Sequence, residues 1–364
     1  METVQGAKPT GRSPERALQL RPLAFAAGAL LLALSGEAAA ADAIQLPGAN
    51  GGVGFDDLTY SPQLRRMLVP AGRTGRLDLI DPRTGAVESV EGFSASTWRV
   101  PGHGQGTTSA DAGGGYVFAT DRSRKTLDVV DTQARRIVGQ IALAAGPDYV
   151  RWVEAVHQVW VTEPSRGVIE VFQLDAGPPK LTRVGAISVP DGPESLVFDA
   201  SGTRAYTNTF GDLTAAVDVP SRSVVAKWRN GCRGARGIAL DSAGGVVFAG
   251  CDEGKVVALD TTDGHVLGEV RTGGGIDSIA YSPALGHVYA PGGDSATLTI
   301  IGVSGRGVLA SLGTAPTARG AHCVAPDEEG RVFVCDPGEG RVLVLHDPYP
   351  ASGGSAGSGH LPRQ

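Results

Sequence analysis

Residues 116–131, YVFATDRSRKTLDVVD, hold two short β-patterned runs, YVFAT and TLDVVD, on either side of a polar turn. Valine, phenylalanine, tyrosine and threonine suit a pleated strand, and the closing aspartate suits a turn. The unit recurs. MLVPA starts at Met67, YVFAT at Tyr116, QVWVT at Gln158, RAYTN at Arg204, VVFAG at Val246, HVYAP at His287 and RVFVC at Arg331, at spacings of 49, 42, 46, 42, 41 and 44 residues. The third position of each copy is Val69, Phe118, Trp160, Tyr206, Phe248, Tyr289 and Phe333. Six aromatics in seven copies mark a shared packing site.

A short apolar strand and a turn precede each signature (FDASGT, LDSAGG, YSPALG), a third strand follows (LDLIDPRTG, LDVVDTQAR, VVALDTTDG), and a fourth comes after it (RIVGQIAL, GAISV, HVLGEV). Four short strands per repeat of this length predict an all-β fold, a seven-bladed β-propeller of four-stranded antiparallel blades. The last copy ends at LVLHDPYP without a fourth strand. At the other end, DAIQLPGANGGVGFDDLTYSP (42–62) aligns with GEVRTGGGIDSIAYSP (268–283), the join between the fifth and sixth units. Residues 42–48 are therefore expected to complete the last blade and close the ring, which hides an open strand edge.

The repeats YVFATD, QVWVTEP and HVYAP, with their LDVVDT and VVALDT endings, resemble the YncE-like, or YVTN-repeat, seven-bladed propellers exported by bacteria, over about residues 42–350. Val69 in the first unit and Gly302, where other units end a strand on Asp, depart from the pattern. The resemblance implies architecture more than chemistry, since propellers carry binding proteins, scaffolds and unrelated enzymes. Single-stranded DNA binding and metal-linked roles are proposed for some members.

Residues 1–41 read as a signal peptide. Arg12, Arg16 and Arg21 precede the apolar run 22–34, and small residues place a cut near Ala40 or Ala41. The apolar run is too short for a bilayer span of about 20 residues, so no stable membrane span is expected after cleavage. The predicted organisation is 1–41 signal peptide, 42–350 propeller and 351–364 disordered Gly/Ser-rich tail. The chain carries a formal charge of −6; residues 1–41 hold four basic and three acidic side chains, so the remainder carries −7. An acidic protein is a poor partner for phosphate backbones, so nucleic acid is not an expected ligand.

Export, to the periplasm or outside the cell, places the four cysteines in an oxidising compartment. Cys323 and Cys335 flank the PDEEG turn almost symmetrically, and Cys232 opens the fifth blade whose second strand Cys251 ends. Since strand one and strand two run in opposite directions, each pair meets at one end of its hairpin, and two disulfides are expected. A soft-metal site of His322 with the thiolates is the rival reading, but the spacing is not that of a CxxC pair.

Strand one lines a propeller's channel, so its first residues predict the ring at the channel mouth. Counting back from the second strands gives Asp56, Gln105, Asp148, Glu194, Arg236, Asp277 and His322, with His103, Arg151 and Arg319 close by. The candidate ligand-binding residues are Asp148, Arg151, Glu194, Arg236, Asp277, Arg319 and His322. Two functions fit. One is a noncatalytic, monomeric binding propeller that presents this face to a small ligand or an envelope protein. The other is a metal-dependent, lactonase-like hydrolase. In it Asp148, Glu194 and Asp277 hold a divalent cation, Arg236 or Arg319 steadies an oxyanion and His322 moves protons. A divalent cation is the one cofactor this pattern could hold. GxSxG, HExxH, EF-hand and CxxCH motifs do not occur, and Gly273–Gly275 precede no helix that would make them a phosphate loop.

Overall fold

The structure, a computed structural model, describes residues 42–97 and 104–352. The expected signal peptide, His103 and most of the expected tail fall outside them. The described strands form seven four-stranded antiparallel sheets, each with its strands in chain order except the last. Blade 1 runs from Thr59–Ser61 to Val87–Ala95, blade 2 from Thr107–Gly113 to Arg136–Ala142, and blade 3 from Val150–Val153 to Leu181–Ser188. Blade 4 runs from Val197–Phe198 to Ser223–Arg229, blade 5 from Ala235–Asp241 to Val266–Arg271, and blade 6 from Ala280–Ser282 to Val308–Pro316. Blade 7 is Val324–Pro326, Arg331–Asp336 and Arg341–His346, completed on its outer edge by Asp42–Gln45. The chain is an all-β, seven-bladed β-propeller whose N-terminal strand closes the ring.

The repeated aromatic has a mechanical reason. Phe118 of blade 2 stacks on Trp152 of blade 3 at 5.3 Å, Trp160 of blade 3 meets Phe198 of blade 4 edge-on at 5.2 Å, and Phe248 of blade 5 meets Tyr281 of blade 6 at 5.5 Å. These three signature aromatics pack on the first strand of the next blade, while Tyr206 stacks on Trp228 of its own blade at 6.1 Å. Such aromatic pairs add about 0.5–1.5 kcal/mol beyond the area they bury. In blades 2 to 6 a β-bulge between strands three and four follows the residue opposite this aromatic, as at Val129/Val130 and Ala258/Leu259. The extra twist swings the outer strand around its neighbour. Gly268 sits at that bulge because a Cβ there would lie 2.8 Å from the Gly307 carbonyl of blade 6.

The register corrects one reading. Thr59 pairs with Leu68 as Ala280 pairs with Tyr289, so the signature of unit one starts at Arg66 and its third residue is Leu68, not Val69. Met67, Leu68 and Val69 are all fully buried, so hydrophobicity alone could not set the frame.

Both disulfides are present. Cys323–Cys335 joins directly opposed residues with Cα atoms 5.6 Å apart, and Cys232–Cys251 spans 5.2 Å and ties the loop before Ala235–Asp241 to the end of strand two. Two disulfides fit an oxidising compartment. Each closes a loop of 19 or 12 residues, worth about 3 kcal/mol in the chain-entropy picture. The double substitution Cys323→Ala/Cys335→Ala is expected to lower the calorimetric Tm by about 5–10 °C; an unchanged Tm would mean that the bond adds nothing to stability.

The chain's last described residues also pack. Asp347 accepts hydrogen bonds from Tyr289 and pairs with His287, both at 2.7 Å, and Ser352 donates its N–H to the Leu285 carbonyl at 2.7 Å. Blade 7 is thereby strapped across blade 6. Among the described residues no helix is long and apolar enough to cross a membrane.

Candidate functional site

Three residues before the partner of each blade's signature side chain, the first strands place Asp56, Thr108, Asp148, Glu194, Arg236, Asp277 and His322 at one level of the channel. Six of the seven are the residues expected there. In blade 2 the position belongs to Thr108 and not Gln105, because the first hairpin is shorter: the paired residues Asp111 and Phe118 are seven apart, whereas Arg151 and Trp160, Val197 and Tyr206, and Ala239 and Phe248 are nine apart. Thr108 is buried against the Thr120 hydroxyl at 3.0 Å.

Four carboxylates thus converge where the seven strands begin, and two guanidiniums divide them. Arg122, from the loop after strand two of blade 2, bridges Asp56 at 2.6 Å and Asp148, and donates its Nε to the Pro147 carbonyl at 2.8 Å. Arg236 bridges Glu194 at 3.3 Å and Asp277 at 3.6 Å, with its guanidinium 5.5 Å from the centre of the Phe210 ring. Asp56, Asp148 and Glu194 are buried, so these are charge-assisted contacts in a poorly solvated site. Burial, with Asp56, Glu194 and Asp277 nearby, holds the Asp148 carboxyl well above its ordinary range. Burial and Asp277 push Glu194 up to about 7 against the opposing pull of Arg236. Four carboxyls and two guanidiniums leave a site that favours protons on its acids.

The other expected residues fall into separate places. Arg151 lies one layer deeper, donating to Asp57 at 2.7 Å and to the Val150 carbonyl at 2.8 Å. His322 turns both ring nitrogens to main-chain carbonyls, Nδ1 to Gly320 and Nε2 to Phe55 at 2.9 Å, which ties blade 7 to blade 1. That geometry suits a positioning role better than proton transfer. Arg319 does not join the cluster: it is exposed, in a shallow groove with Asp336, Glu339 and Arg341 at the outer rim. Arg122 and Phe210, carried by the loops TDRSRK and NTFGD after strand two of blades 2 and 4, were not among the expected site residues.

Among the described residues, three metal-type side chains bring ligand atoms within 4.8 Å of one another at two places, His322 with Cys323 and Cys335, and Asp260 with Asp263 and His265. The first pair of sulfurs is a disulfide and offers no thiolate. In the second, Arg306 donates to Asp260 at 2.8 Å and His265 is engaged by Asp263 at 2.7 Å. The mouth carboxylates form no such group, because Arg122 and Arg236 occupy the bridging positions that a cation would take.

No family model matches the chain, and no curated protein matches it. Solved structures do. A chain in the crystal structure of the Mitotic Checkpoint Complex aligns with a TM-score of 0.70 at 14% identity, over 90% of this chain and 99% of that one. The β-propeller domain of Myceliophteria thermophila Cps50 (Swd1) aligns at 0.66 and 13% identity, over 84% and 99%. Kuenenia stuttgartiensis hydrazine synthase aligns at 0.65 and 16%, over 83% and 97%. At these identities the likeness is one of fold, and it places the chain among the seven-bladed β-propellers.

Proposed function

We propose that the chain is an exported, noncatalytic binding propeller of the YncE-like or YVTN-repeat kind, which presents its channel mouth to an envelope protein. The observation that carries this reading is the Phe210–Arg236 pair. Phe210 is 43% exposed on the mouth face, and Arg236 reaches past its ring into Glu194 and Asp277. An exposed aromatic beside an arginine held by a buried glutamate and a half-buried aspartate has the composition of an interface hot spot. Asp212, Asp252 and Asp294, on the loops that follow neighbouring second strands, supply a polar rim. The hydrolase reading asks the same carboxylates to turn toward one metal ion, which would require both arginines to leave.

A photo-crosslinking side chain at position 210, in cells exporting the protein, is expected to give one discrete adduct that Arg236→Ala removes. The same probe at Val308, exposed on the outer edge of blade 6, should give none. No adduct at 210, or equal adducts at both positions, would overturn the reading. Chelator-sensitive lactone hydrolysis by the purified protein would favour the hydrolase instead.

A further inference from the structure

The channel does not end at the mouth carboxylates. Toward the turns that join strands one and two, the first strands enclose a second cavity of about 430 Å³, open to that opposite face. Its volume is that of a small-molecule site. The inner strands have no further strand to pair with, so their backbone groups border the space.

Its walls are sharply unequal. At the level of each blade's signature aromatic, blades 2 and 3 contribute Asp111 and Arg151, whereas blades 5, 6 and 7 contribute Ala239, Ala280 and Ala325. Three alanines in a row open the space, and the charge lies on one side of it. Arg151 is committed to Asp57, through Nη1 at 2.7 Å and Nη2 at 3.4 Å. Asp111 has no such partner in contact: its oxygens accept the backbone N–H groups of Ala112 and Trp152, each at 2.8 Å. Two carboxylates and one guanidinium leave one net negative charge at Asp111. Burial raises the Asp111 carboxyl against the pull of Arg151, a guanidinium it shares with Asp57. One residue further along the strands, Tyr60, Trp152, Phe198 and Tyr281 form a half-buried collar around the opening.

We propose that this cavity binds a small organic monocation with an apolar body, its ammonium or amidinium head toward Asp111 and its body among the alanines and the aromatic collar. An anion would face two carboxylates. A neutral ligand could offer Asp111 a hydrogen bond but neither the charge–charge attraction nor the pull of the ring quadrupoles on a cation. The site lies at the opposite end of the channel from Phe210 and Arg236, so it stands or falls apart from the mouth.

Calorimetric titration of the exported protein at low salt with phenethylammonium, 2-phenylethanol and 3-phenylpropanoate tests it. The ammonium is expected to bind saturably, at least about ten-fold tighter than either counterpart, a margin of about 1.4 kcal/mol. Asp111→Asn and Phe198→Leu should each weaken it about ten-fold or more, while Arg236→Ala leaves it unchanged. The Asn amide meets a backbone N–H at one of the two Asp111 contacts, so Phe198→Leu is the variant that keeps the test open if Asp111→Asn misfolds. Equal binding of the alcohol, no saturation by about 10 mM ammonium, or full affinity in Phe198→Leu would each overturn the proposal.

Discussion

Deleting residues 43–47 is expected to lower the protein's Tm by about 10 °C or more, or to leave it aggregated. The strand Asp42–Gln45 pairs antiparallel with Arg341–His346 over four residues, Asp42 with Val344 through Gln45 with Arg341. Leu46 follows with 2% exposure and packs with Phe55, Phe333 and Val342. Losing a buried leucine alone costs about 2–5 kcal/mol. The deletion also strips the partner from the third strand of blade 7, whose N–H and C=O groups then form an open edge, a template for pairing with other chains. Against a total stability of about 5–15 kcal/mol, this is a large fraction. A synthetic peptide of residues 42–48 added in trans should restore part of the Tm, since the groove it fills is otherwise complete. An unchanged Tm in the deleted protein would refute closure by this strand.

That closure could be read from sequence because the blade repeat is nearly one-dimensional: each unit contacts its neighbours, so a missing strand at one end and a spare one at the other imply each other. The mouth level was legible for the same reason in six blades. It failed in blade 2, where a shorter turn between strands one and two brings Thr108 to the place assigned to Gln105, and counting back by a near-constant number of residues does not register a shortened turn. Arg122 escaped for a different reason. Its partners Asp56 and Asp148 are 66 and 26 residues away, on blades 1 and 3. A pattern aligned unit by unit sees equivalent positions, not pairs between unlike positions on different blades. The same limit hid the second cavity, since Ala239, Ala280 and Ala325 are unremarkable alone and matter only because they share a level with Asp111.

Stability is expected to be highest near pH 5 and to fall as the pH rises to 8, the reverse of a protein held together by ionised carboxylates. Burial raises Asp78 and Asp128 from 3.8 to about 6, and Glu163 and Glu194 from 4.5 to about 7, the glutamates also through neighbouring Glu170 and Asp277. Asp78 shows the cause plainly: Oδ1 accepts the Ser89 hydroxyl at 2.5 Å, while Oδ2 is buried without a hydrogen-bond partner. Between pH 3.8 and about 6 the folded chain keeps a proton on Asp78 that the unfolded chain has lost. Stability from this group is therefore full below the unfolded value and lost as pH climbs through the folded one. For Asp78 the difference corresponds to about 3 kcal/mol. The lowered carboxyls, Asp81, Asp199, Asp218, Asp260 and Asp263, hold their turns through hydrogen bonds and act in the opposite sense, but only as pH falls below about 4. The two sets together place the optimum between them. Asp78→Asn keeps the shape and removes the charge, so it should raise the Tm by several degrees at pH 8 and change it little at pH 5. A Tm that rises from pH 5 to 8 in the parent, or an Asp78→Asn effect equal at both values, would show that these buried acids are ionised without cost.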